Sequence, residues 1–429
     1  MFKLSLKFLQ KLKRNFFPFY KSKELKIIFK TLQKGFSNER IVARFVGGCV
    51  RKHLLGENID DIDIATILTT EQIKEKFKDT NFKVVETGVK HGTITLLSDK
   101  NKFELTTLRK DVTTDGRHAE IEYTDNWQLD SERRDFTFNA IYLNMKGEIL
   151  DPLGNFSDLV NGKVRFVGQP KKRIEEDHLR ILRFFRFISK YPSQNSSINL
   201  KTLAAIKQSK YLLKKLSKDR IWKEFKLILS SDGVCLALRF MKETGVLNIL
   251  FSSISLKNIG NLVELEKKII SEFLGKHYFN TFEFKDPILR LSILLDPKEK
   301  YLERVLSLKK NEIKKLNFYN KFDVFPKNFK SLGFNYGLEK GLSLLLLYIA
   351  KKKNFDIYIK SKTFEIEFQL YCKDIIEGAK AVKKFPITGI DLLQRGYSGK
   401  KIGEILEKLK KVWINSEFKL NKKKLLSKS

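Results

Sequence analysis

The sequence predicts an α+β protein in which a small mixed sheet with helices is followed by an all-helical remainder. Between residues 24 and 143, short apolar runs with strand alternation are separated by helical segments and glycine turns. From residue 173 almost to the end, this alternation gives way to the 3.6-residue period of helices. With a prior of roughly 150 residues per domain, a chain of 429 residues has room for several domains.

Composition indicates a polyanionic partner. Lysine and arginine total 84 against 50 aspartates and glutamates, which gives a formal net charge of +34. A charge of that size attracts nucleic acid first and an anionic membrane second. A compositional bias toward lysine accounts for part of the count without removing the attraction. Hydrophobic residues make up 42% of the chain, so large buried cores are expected and wholesale disorder is not.

The cysteines and the N-terminal segment favour a cytoplasmic protein. Cys49, Cys235 and Cys372 are scattered singly, with neither metal-ligand spacing nor a disulfide framework, so a reducing cytosol is expected. Lysine and arginine interrupt residues 1–30 too often for a secretory segment, and no run approaches membrane-spanning length. We expect residues 1–23 to form a basic helical extension, as a docking helix, a frayed start or an amphipathic helix touching RNA or lipid. We expect no membrane association and no protein partner.

The stretch at 44–66 carries the first candidate site. An apolar strand ends at Val46, and Gly47 and Gly48 then allow a tight turn and a close approach to a ligand. The helix that begins after them presents free N–H groups to a phosphate, and Arg51 adds a guanidinium fork. On its own, a Gly-Gly pair is most often just a turn.

The next predicted strand supplies a pair of carboxylates. In Asp61-Ile62-Asp63-Ile64 the aspartates project from one face while the isoleucines enter the core, because strand side chains alternate. Two carboxylates on one face repel each other unless a cation lies between them, and Mg²⁺ prefers a few carboxylates together with substrate phosphates. An isolated Asp-x-Asp is usually a solvated strand end. In order after the glycine pair, it predicts a magnesium site at Asp61 and Asp63.

Together, Gly-Gly-x-Val-Arg, Leu-Leu-Gly and Asp-x-Asp-Ile-Ala-Thr resemble the head motif of a known family. The family comprises the bacterial class II tRNA nucleotidyltransferases, or CCA-adding enzymes, and their relatives, the bacterial poly(A) polymerases. The resemblance is dense at 44–225, reappears at 385–413 and is weak between these segments. The chain differs at Lys52, where the family usually has Asp, which bears on a carboxylate at that position and not on the metal pair.

The resemblance implies a division of the chain into parts. A polymerase-β-like nucleotidyltransferase head would occupy 24–170, and a neck with a nucleotide-selecting helix would occupy 171–232. A helical, RNA-binding body and tail would occupy 233–429. Within the neck, 217–225 resemble a support element beneath the selecting helix, and Ser217 is also the N-cap of an ordinary helix start.

The resemblance also implies further site residues in the head. Glu104, in a strand at 103–106, would be a third catalytic carboxylate; the alternative is an edge-strand glutamate that faces water. Arg133 and Arg134 match the family's Arg-Arg-Asp motif and would bind the triphosphate, since guanidinium forks match phosphate oxygens. The alternative for the arginines is a surface ion pair with Asp135.

Residues 109–127 are polar and are predicted to form a mobile loop centred on Thr113-Thr114-Asp115-Gly116-Arg117. The family has a flexible loop here that helps to switch nucleotide specificity. Arg117 could serve that switch or be one more solvated charge. The presence of the loop favours full CCA addition over the addition of CC alone.

The second motif opens the helical part of the chain. In the family, Glu-Asp-x-x-Arg acts as a protein template for the incoming base, and Glu176, Asp177 and Arg180 match it. A carboxylate accepts from the amine of C or A while a guanidinium donates to the ring nitrogen, whereas U and G clash with both. By the resemblance, Arg183 and Arg186 contact phosphates or hold the template residues. The alternative is an ordinary i,i+3 salt bridge between Asp177 and Arg180 on one helix.

These features predict a nucleotidyltransferase that uses Mg²⁺ to add CCA to the 3′ end of tRNA from CTP and ATP, with release of pyrophosphate. A poly(A) polymerase or a CC-adding enzyme of the same family, and a catalytically silent RNA-binding protein, are the alternatives. The intact pair of Asp61 and Asp63 argues against the silent protein. With 5 histidines and no His-Asp doublet, the chain lacks the motif of an appended phosphohydrolase domain.

Overall fold

A computed structural model of the protein describes residues 22–88, 92–115, 118–191, 198–273, 282–295, 302–322, 328–382 and 385–429. The chain forms two compact units, one made of Met1–Ile221 and Phe240–Ile249 and the other of Trp222–Arg239 and Leu250–Ser429. A mixed sheet with helices in the first unit and helices throughout the described second unit confirm the predicted α+β class. The finer division into head, neck, body and tail stays a prediction. The predicted extension at 1–23 lies outside the described residues except for its last two.

The first unit begins with a helix and then alternates strands with helices. In chain order its elements are α1 (Lys23–Gln33), β1 (Ala43–Val46), α2 (Gly48–Leu55), β2 (Ile62–Thr66), α3 (Thr70–Phe77), β3 (Lys83–Gly88), β4 (Thr93–Leu97), β5 (Lys102–Thr107), β6 (Arg109–Asp115), β7 (His118–Tyr123), α4 (Trp127–Glu132), β8 (Tyr142–Leu143), β9 (Ile149–Leu150), α5 (Phe156–Val160), α6 (Pro170–Glu176), α7 (Arg180–Lys190) and α8 (Leu200–Ser209). The strands predicted around 82–89, 93–97 and 103–106 are confirmed.

The main sheet has the strand order β3-β4-β5-β2-β1-β8-β9. Strands β2 and β5 run parallel, with Asp63 opposite Glu104, and the other neighbouring pairs run antiparallel. Ile64 is fully buried on one face, so Asp63 and Ala65 project from the other because side chains alternate along a strand. The register therefore places Asp63 and Glu104 side by side.

Each face of the sheet packs against helices. On the face of Ile64, Phe29 of α1 contacts Phe45 with ring centroids 4.7 Å apart, and both α1 and α3 bury apolar residues. On the other face, Trp127 of α4 packs edge-on against Tyr142 with centroids 5.2 Å apart. An apolar cluster around Tyr142 includes Ala65, so α4 lies on the same face as Asp63.

The segment predicted as a mobile loop is a β-hairpin. Strands β6 and β7 pair antiparallel as a separate two-stranded sheet, with Arg109 opposite Tyr123. The prediction of a loop over 109–127 is wrong because polar composition does not prevent strand pairing, and threonine favours extended backbone. Gly116 and Arg117 lie outside the described residues, so the switching role predicted for Arg117 has no structural account.

After α8, the described chain consists of helices and the segments that connect them. The helices after α8 are α9 (Lys218–Leu229), α10 (Val234–Glu243), α11 (Val246–Leu250), α12 (Leu256–Phe273), α13 (Pro287–Leu294), α14 (Leu302–Val305), α15 (Lys310–Asn320), α16 (Lys330–Ala350), α17 (Phe355–Tyr358), α18 (Lys362–Ala381), α19 (Gly389–Leu393), α20 (Lys400–Asn415) and α21 (Lys422–Leu426). Helices α16 and α18 touch backbone to backbone. A Cβ on Gly333 would lie 1.8 Å from the Ile375 carbonyl oxygen, and one on Gly378 would lie 2.0 Å from that of Lys330. This contact therefore admits only glycine at both positions.

Candidate active site

The glycine turn after β1 lies against the first carboxylate of β2. Gly47 has φ 73° and ψ −129°, a conformation that side chains rarely adopt. A Cβ on Gly47 would lie 3.5 Å from Asp63 Oδ2, whereas one on Gly48 would meet nothing within 4 Å. The turn thus places the start of α2 beside the Asp63 carboxylate and leaves open space in front of Gly48.

Cys49, inside the same motif, packs rather than reacts. Its thiol donates to the carbonyl of Val46 at 3.1 Å, and the side chain is 1% exposed. Burial, with a further contribution from the charge of Asp63, raises the pKa of the Cys49 thiol to about 12. Because the thiolate is the nucleophilic form, this environment suits a packing role for Cys49 rather than a nucleophilic one.

Negative charge accumulates at Asp63. Burial first, and then repulsion from Glu104 and Asp61, raise the pKa of Asp63 to about 6, while Arg134 lowers it in part. Asp61 is exposed and directly precedes β2. A cation at this edge of the strand would relieve the repulsion, and carboxylate oxygens with room for phosphates are the environment that Mg²⁺ prefers. The donor set therefore fits the predicted metal at Asp61 and Asp63.

Glu104 lies beside Asp63 but forms its ion pair with a lysine. Lys102 Nζ is 2.5 Å from Glu104 Oε1, and this contact raises the pKa of Lys102, with smaller contributions from Asp61 and Asp63. Across the described ranges, no group of three or more His, Cys, Asp or Glu side chains gathers closely enough to hold a metal ion. The role of Glu104 as a third catalytic carboxylate stays a prediction.

Arg133 and Arg134 share one buried aspartate. Arg133 Nε donates to Asp130 Oδ1 at 2.8 Å, and Arg134 Nη2 donates to Asp130 Oδ2 at 2.8 Å. Tyr142 donates its hydroxyl to the same Oδ2 at 2.7 Å. Although burial alone would raise it, Arg134 and Arg133 hold the pKa of Asp130 well below its usual range. The alternative of a surface pair with Asp135 is wrong, because the partner is Asp130.

Asp135 instead holds α7. Arg183 Nε donates to Asp135 Oδ2 at 2.8 Å, and Asn139 Nδ2 donates to Oδ1 at 2.9 Å. Burial opposes ionisation, but Arg183 and Asn139 keep the pKa of Asp135 well below its usual range. Arg183 thus binds Asp135, which is not one of the predicted template residues, and the two roles predicted for Arg183 stay predictions. Arg186 lies over the ring of Phe187, with its guanidinium carbon 4.5 Å from the ring centroid.

The predicted template residues Glu176, Asp177 and Arg180 do not lie on one continuous helix. Helix α6 ends at Glu176, Asp177 is extended with φ −150° and ψ 108°, and α7 begins at Arg180. The Asp177 carboxylate accepts from the N–H of Leu179 at 3.1 Å, and such local bonds compete with helix continuation. The predicted helical spacing of Asp177 and Arg180 is therefore wrong at this break.

Asp177 and Arg180 have separate partners. Arg220 Nη2 donates to both oxygens of Asp177, at 2.9 and 3.1 Å. Arg180 Nη1 donates to Glu176 Oε2 at 2.5 Å and to the carbonyl of Arg173 at 2.9 Å. The alternative of a salt bridge between Asp177 and Arg180 is accordingly wrong. The sequence placed Arg220 in the support segment at 217–225, but nothing in the local pattern identified it as the partner of Asp177.

Arg51 turns inward and does not form a free fork at the glycine turn. Its side chain is 7% exposed, Nε donates to the hydroxyl of Tyr191 at 3.1 Å, and Nη1 donates to Asn139 Oδ1. The guanidinium carbon lies 4.9 Å from the centroid of the Phe187 ring. A guanidinium is weakly hydrated and stacks on aromatic faces, so burial suits it. The predicted contact of Arg51 with the triphosphate does not match this placement.

A glycine turn at a helix start, with carboxylates beside it and a partly buried arginine pair nearby, is the arrangement of a nucleotidyltransferase head. A family profile described as "Poly A polymerase head domain" matches residues 43–165. A second profile, "Probable RNA and SrmB- binding site of polymerase A", matches residues 197–257.

Curated relatives match over nearly the whole chain. The mitochondrial CCA tRNA nucleotidyltransferase 1 of Mus musculus is 34% identical, covering 93% of this chain and 88% of its own length. The Homo sapiens protein of the same name is 33% identical with the same coverage. The CCA-adding enzyme of Enterococcus faecalis is 42% identical over 43% of this chain and 44% of its own. The chain belongs to the CCA tRNA nucleotidyltransferase family.

Solved structures share the fold. A Bacillus stearothermophilus CCA-adding enzyme in complex with CTP aligns with a TM-score of 0.68 at 24% identity, covering 93% of this chain and 94% of its own. The Thermotoga maritima CCA-adding enzyme complexed with tRNA aligns with a TM-score of 0.65 at 22% identity, covering 94% and 93%. In the part of the chain that the structure describes, every helix falls short of the length and apolarity needed to cross a membrane.

Proposed function

We propose that this protein adds C, C and A to the 3′ end of tRNA, using CTP and ATP and releasing pyrophosphate. The observation that carries the proposal is the accumulation of carboxylates at Asp63, which faces the glycine turn at Gly47 and has a pKa raised to about 6. Kinship over 93% of the chain with enzymes named for this reaction supports it. In each step, the terminal RNA oxygen bonds to the α-phosphorus and the bond to pyrophosphate breaks.

Asp61 and Asp63 would hold Mg²⁺. When bound, the metal would stabilise the charge on the phosphoryl oxygens and ease deprotonation of the attacking hydroxyl. The open space in front of Gly48 leaves room for the phosphates. The N–H groups at the start of α2 would donate to phosphate oxygens there. Arg134, which already lowers the pKa of Asp63, would contribute positive charge to the same place.

The template residues are arranged so that neither neutralises the other. Arg220 fixes the carboxylate of Asp177, and Glu176 with the Arg173 carbonyl fixes the guanidinium of Arg180. Arg180 Nη2 also donates to the carbonyl of Arg133 at 3.3 Å, which links base selection to the arginine pair. We propose that the carboxylate of Asp177 accepts from the amine of C or A while Arg180 donates to the ring nitrogen.

Replacing Asp177 with alanine is expected to relax base choice. The amine of C or A loses its acceptor, and the carbonyl of U loses the carboxylate that repelled it. Because one good pair is worth about 1–3 kcal/mol of discrimination, use of UTP relative to CTP should rise by about one to two orders of magnitude. Arg180→Ala should instead lower kcat/KM for CTP and ATP together.

The measurement is kcat/KM for all four nucleotides with each variant. Asp79→Ala, at an exposed turn after α3, is the matched control and should keep the wild-type ratios. Thermal melts exclude loss of fold as the cause. A folded Asp177→Ala enzyme with an unchanged UTP-to-CTP ratio would remove support for the protein template.

RNA is the proposed macromolecular substrate. The net charge of +34 attracts polyanions, and the second family profile covers the segment around Tyr211. That tyrosine is 60% exposed, and Nζ of Lys210 and of Lys214 lie 5.3 and 5.9 Å from its ring centroid. Exposed aromatic rings among lysines suit stacking and phosphate contact.

The test of the proposed function uses tRNA that ends before CCA. Incubated with pure protein and Mg²⁺, it should gain two C residues with CTP alone and CCA with CTP and ATP together. Long A tails with ATP alone would favour the poly(A) polymerase, and arrest after two C residues with both nucleotides would favour the CC-adding enzyme. Absence of pyrophosphate release under every condition would contradict all three activities.

A reducing compartment is also part of the proposal. Cys49 and Cys372 are buried, Cys235 is exposed, and none of the three forms a disulfide. Cytoplasm is the compartment that the sequence favours, whereas three of the relatives are named mitochondrial. A reducing mitochondrial matrix would also keep the three cysteines out of disulfides.

A further inference from the structure

A polar bridge connects α2, the helix after the glycine turn, with both ends of α7. Its members are Arg51, Asn139, Asp135, Arg183 and Tyr191. Arg183, near the start of α7, donates to Asp135, and Asn139 donates to the other oxygen of the same carboxylate. Arg51 of α2 donates to Asn139 and to the hydroxyl of Tyr191, which directly follows α7. The bridge thus runs from Arg183, near the start of α7, through Arg51 of α2 to Tyr191, at the end of α7.

The chemistry of each group permits only one orientation of the Asn139 amide. A guanidinium can only donate, so Arg51 requires the amide oxygen. An ionised carboxylate can only accept, so Asp135 requires the amide nitrogen. Asn139 is 6% exposed, and loss of a partner for a buried polar group is costly. A carboxylate or an aliphatic side chain at 139 cannot serve both neighbours.

At the C-terminal end of α7, further polar contacts join this helix to the residue that follows α2. Lys190 Nζ lies 2.6 Å from Glu57 Oε2, and the Tyr191 hydroxyl lies 3.4 Å from the same oxygen. Glu57 follows Gly56, the residue that caps the C-terminal end of α2. Between these polar contacts, the guanidinium of Arg51 stacks over Phe187 of α7 at 4.9 Å. Helix α2 is therefore held to α7 by polar contacts on both sides of an aromatic contact.

We propose that Arg51, Asn139 and Tyr191 are positioning residues that hold the glycine turn in a fixed geometry relative to the template residues. The inference rests on the proposed function, in which Gly47 and Gly48 receive the phosphates while Asp177 and Arg180 select the base. When a nucleotide binds both the glycine turn and the template residues, the bridge determines the position of its α-phosphorus. Since a displacement of about 1 Å from the reactive geometry can reduce a rate by about a hundredfold, these residues act on the chemical step without touching substrate.

Tyr191→Phe tests the bridge with the least disturbance. It keeps the ring beside Arg51 and removes the hydroxyl that accepts from Nε. The expected result is a kcat for CTP addition lowered by about tenfold to a hundredfold, with KM for CTP within about twofold of wild type. The ratio of CTP to UTP use should not change, because Asp177 and Arg180 remain in place. The control is Tyr336→Phe, whose ring packs on Phe318 in the second unit and which should leave kcat unchanged.

Asn139→Leu and Asn139→Gln give an independent second test. The leucine removes both donor and acceptor and should lower kcat at least as much as Tyr191→Phe. The glutamine restores both groups and should recover part of kcat. The positioning role would be refuted if Tyr191→Phe kept wild-type kcat. It would also be refuted if the folded variants raised KM without lowering kcat. Absence of CCA addition by the wild-type protein would refute the proposed function instead, so the two failures are distinguishable.

Discussion

Replacing Asp63 with alanine is expected to abolish nucleotidyl transfer while tRNA binding stays nearly unchanged. The carboxylate lies beside the glycine turn, and burial and neighbouring carboxylates raise its pKa, so it is a ligand of the proposed Mg²⁺. Loss of metal-based stabilisation of the transferring phosphoryl group costs several kcal/mol, which corresponds to a rate lowered by about a thousandfold or more. Binding of tRNA depends on the charge of the whole surface, which one substitution changes little. Asp61→Ala should behave similarly.

The measurement is single-turnover incorporation from CTP with Mg²⁺, together with tRNA affinity at fixed ionic strength. Asp60→Ala is the matched control, because Asp60 is a neighbouring exposed carboxylate that pairs with Lys52 at 2.5 Å. It should retain near wild-type turnover. Near-normal turnover by Asp63→Ala would show that the metal assignment is wrong. Loss of both tRNA affinity and turnover would indicate a disturbed fold.

Asp130→Asn is expected to destabilise the first unit strongly. Asp130 is fully buried and accepts hydrogen bonds from Arg133, Arg134 and Tyr142. Removing one partner of a buried ion pair costs about 3–5 kcal/mol, because the remaining charges are left uncompensated. For a unit of this size, that corresponds to a melting temperature lowered by roughly 6–20 °C.

The same substitution should show a defined pH dependence. The pKa of Asp130 lies below its unfolded value, so its stabilisation is present in full above the unfolded pKa and is lost as pH falls toward the folded pKa. The difference in melting temperature between wild type and Asp130→Asn should therefore be constant above about pH 5 and shrink below about pH 4. A difference that widened in acid would contradict this.

Asp125→Asn provides the matched surface control. Asp125 pairs with Arg40 at 3.3 Å, and its side chain is 71% exposed. Exposed pairs contribute about 0–1 kcal/mol, so this variant should melt within a few degrees of wild type. If Asp130→Asn melted as Asp125→Asn does, the first unit would not depend on the ion pairs of Asp130 for its stability.

Local patterns in the sequence predicted those features of the fold and site that depend only on residues close together in the chain. The glycine turn, the two aspartates at the start of β2 and the strand holding Glu104 follow from alternation and turn chemistry within short segments. Asp130 was also within reach of such reasoning, because it precedes Arg133 and Arg134 by three and four residues at the end of a helix. The choice of Asp135 as the partner overlooked that spacing.

Contacts between distant segments could not be predicted in this way. Arg51 meets Tyr191 across 140 positions, and Asp177 meets Arg220 across 43. A guanidinium after a glycine turn is equally suited to a phosphate or to buried aromatic rings, and only the folded chain decides between them. The break at Asp177 likewise depends on a side chain that competes with the helix for its own backbone.

The glycine contact between α16 and α18 restricts how the sequence of the second unit can drift. The chain as a whole is rich in large side chains, with 35 phenylalanines and 84 lysines and arginines. At Gly333 and Gly378 even a methyl group would overlap the facing backbone, at 1.8 and 2.0 Å. A mutational bias that replaces glycine codons would therefore be opposed by selection at these two sites, which are expected to persist in lineages whose surrounding residues have been exchanged.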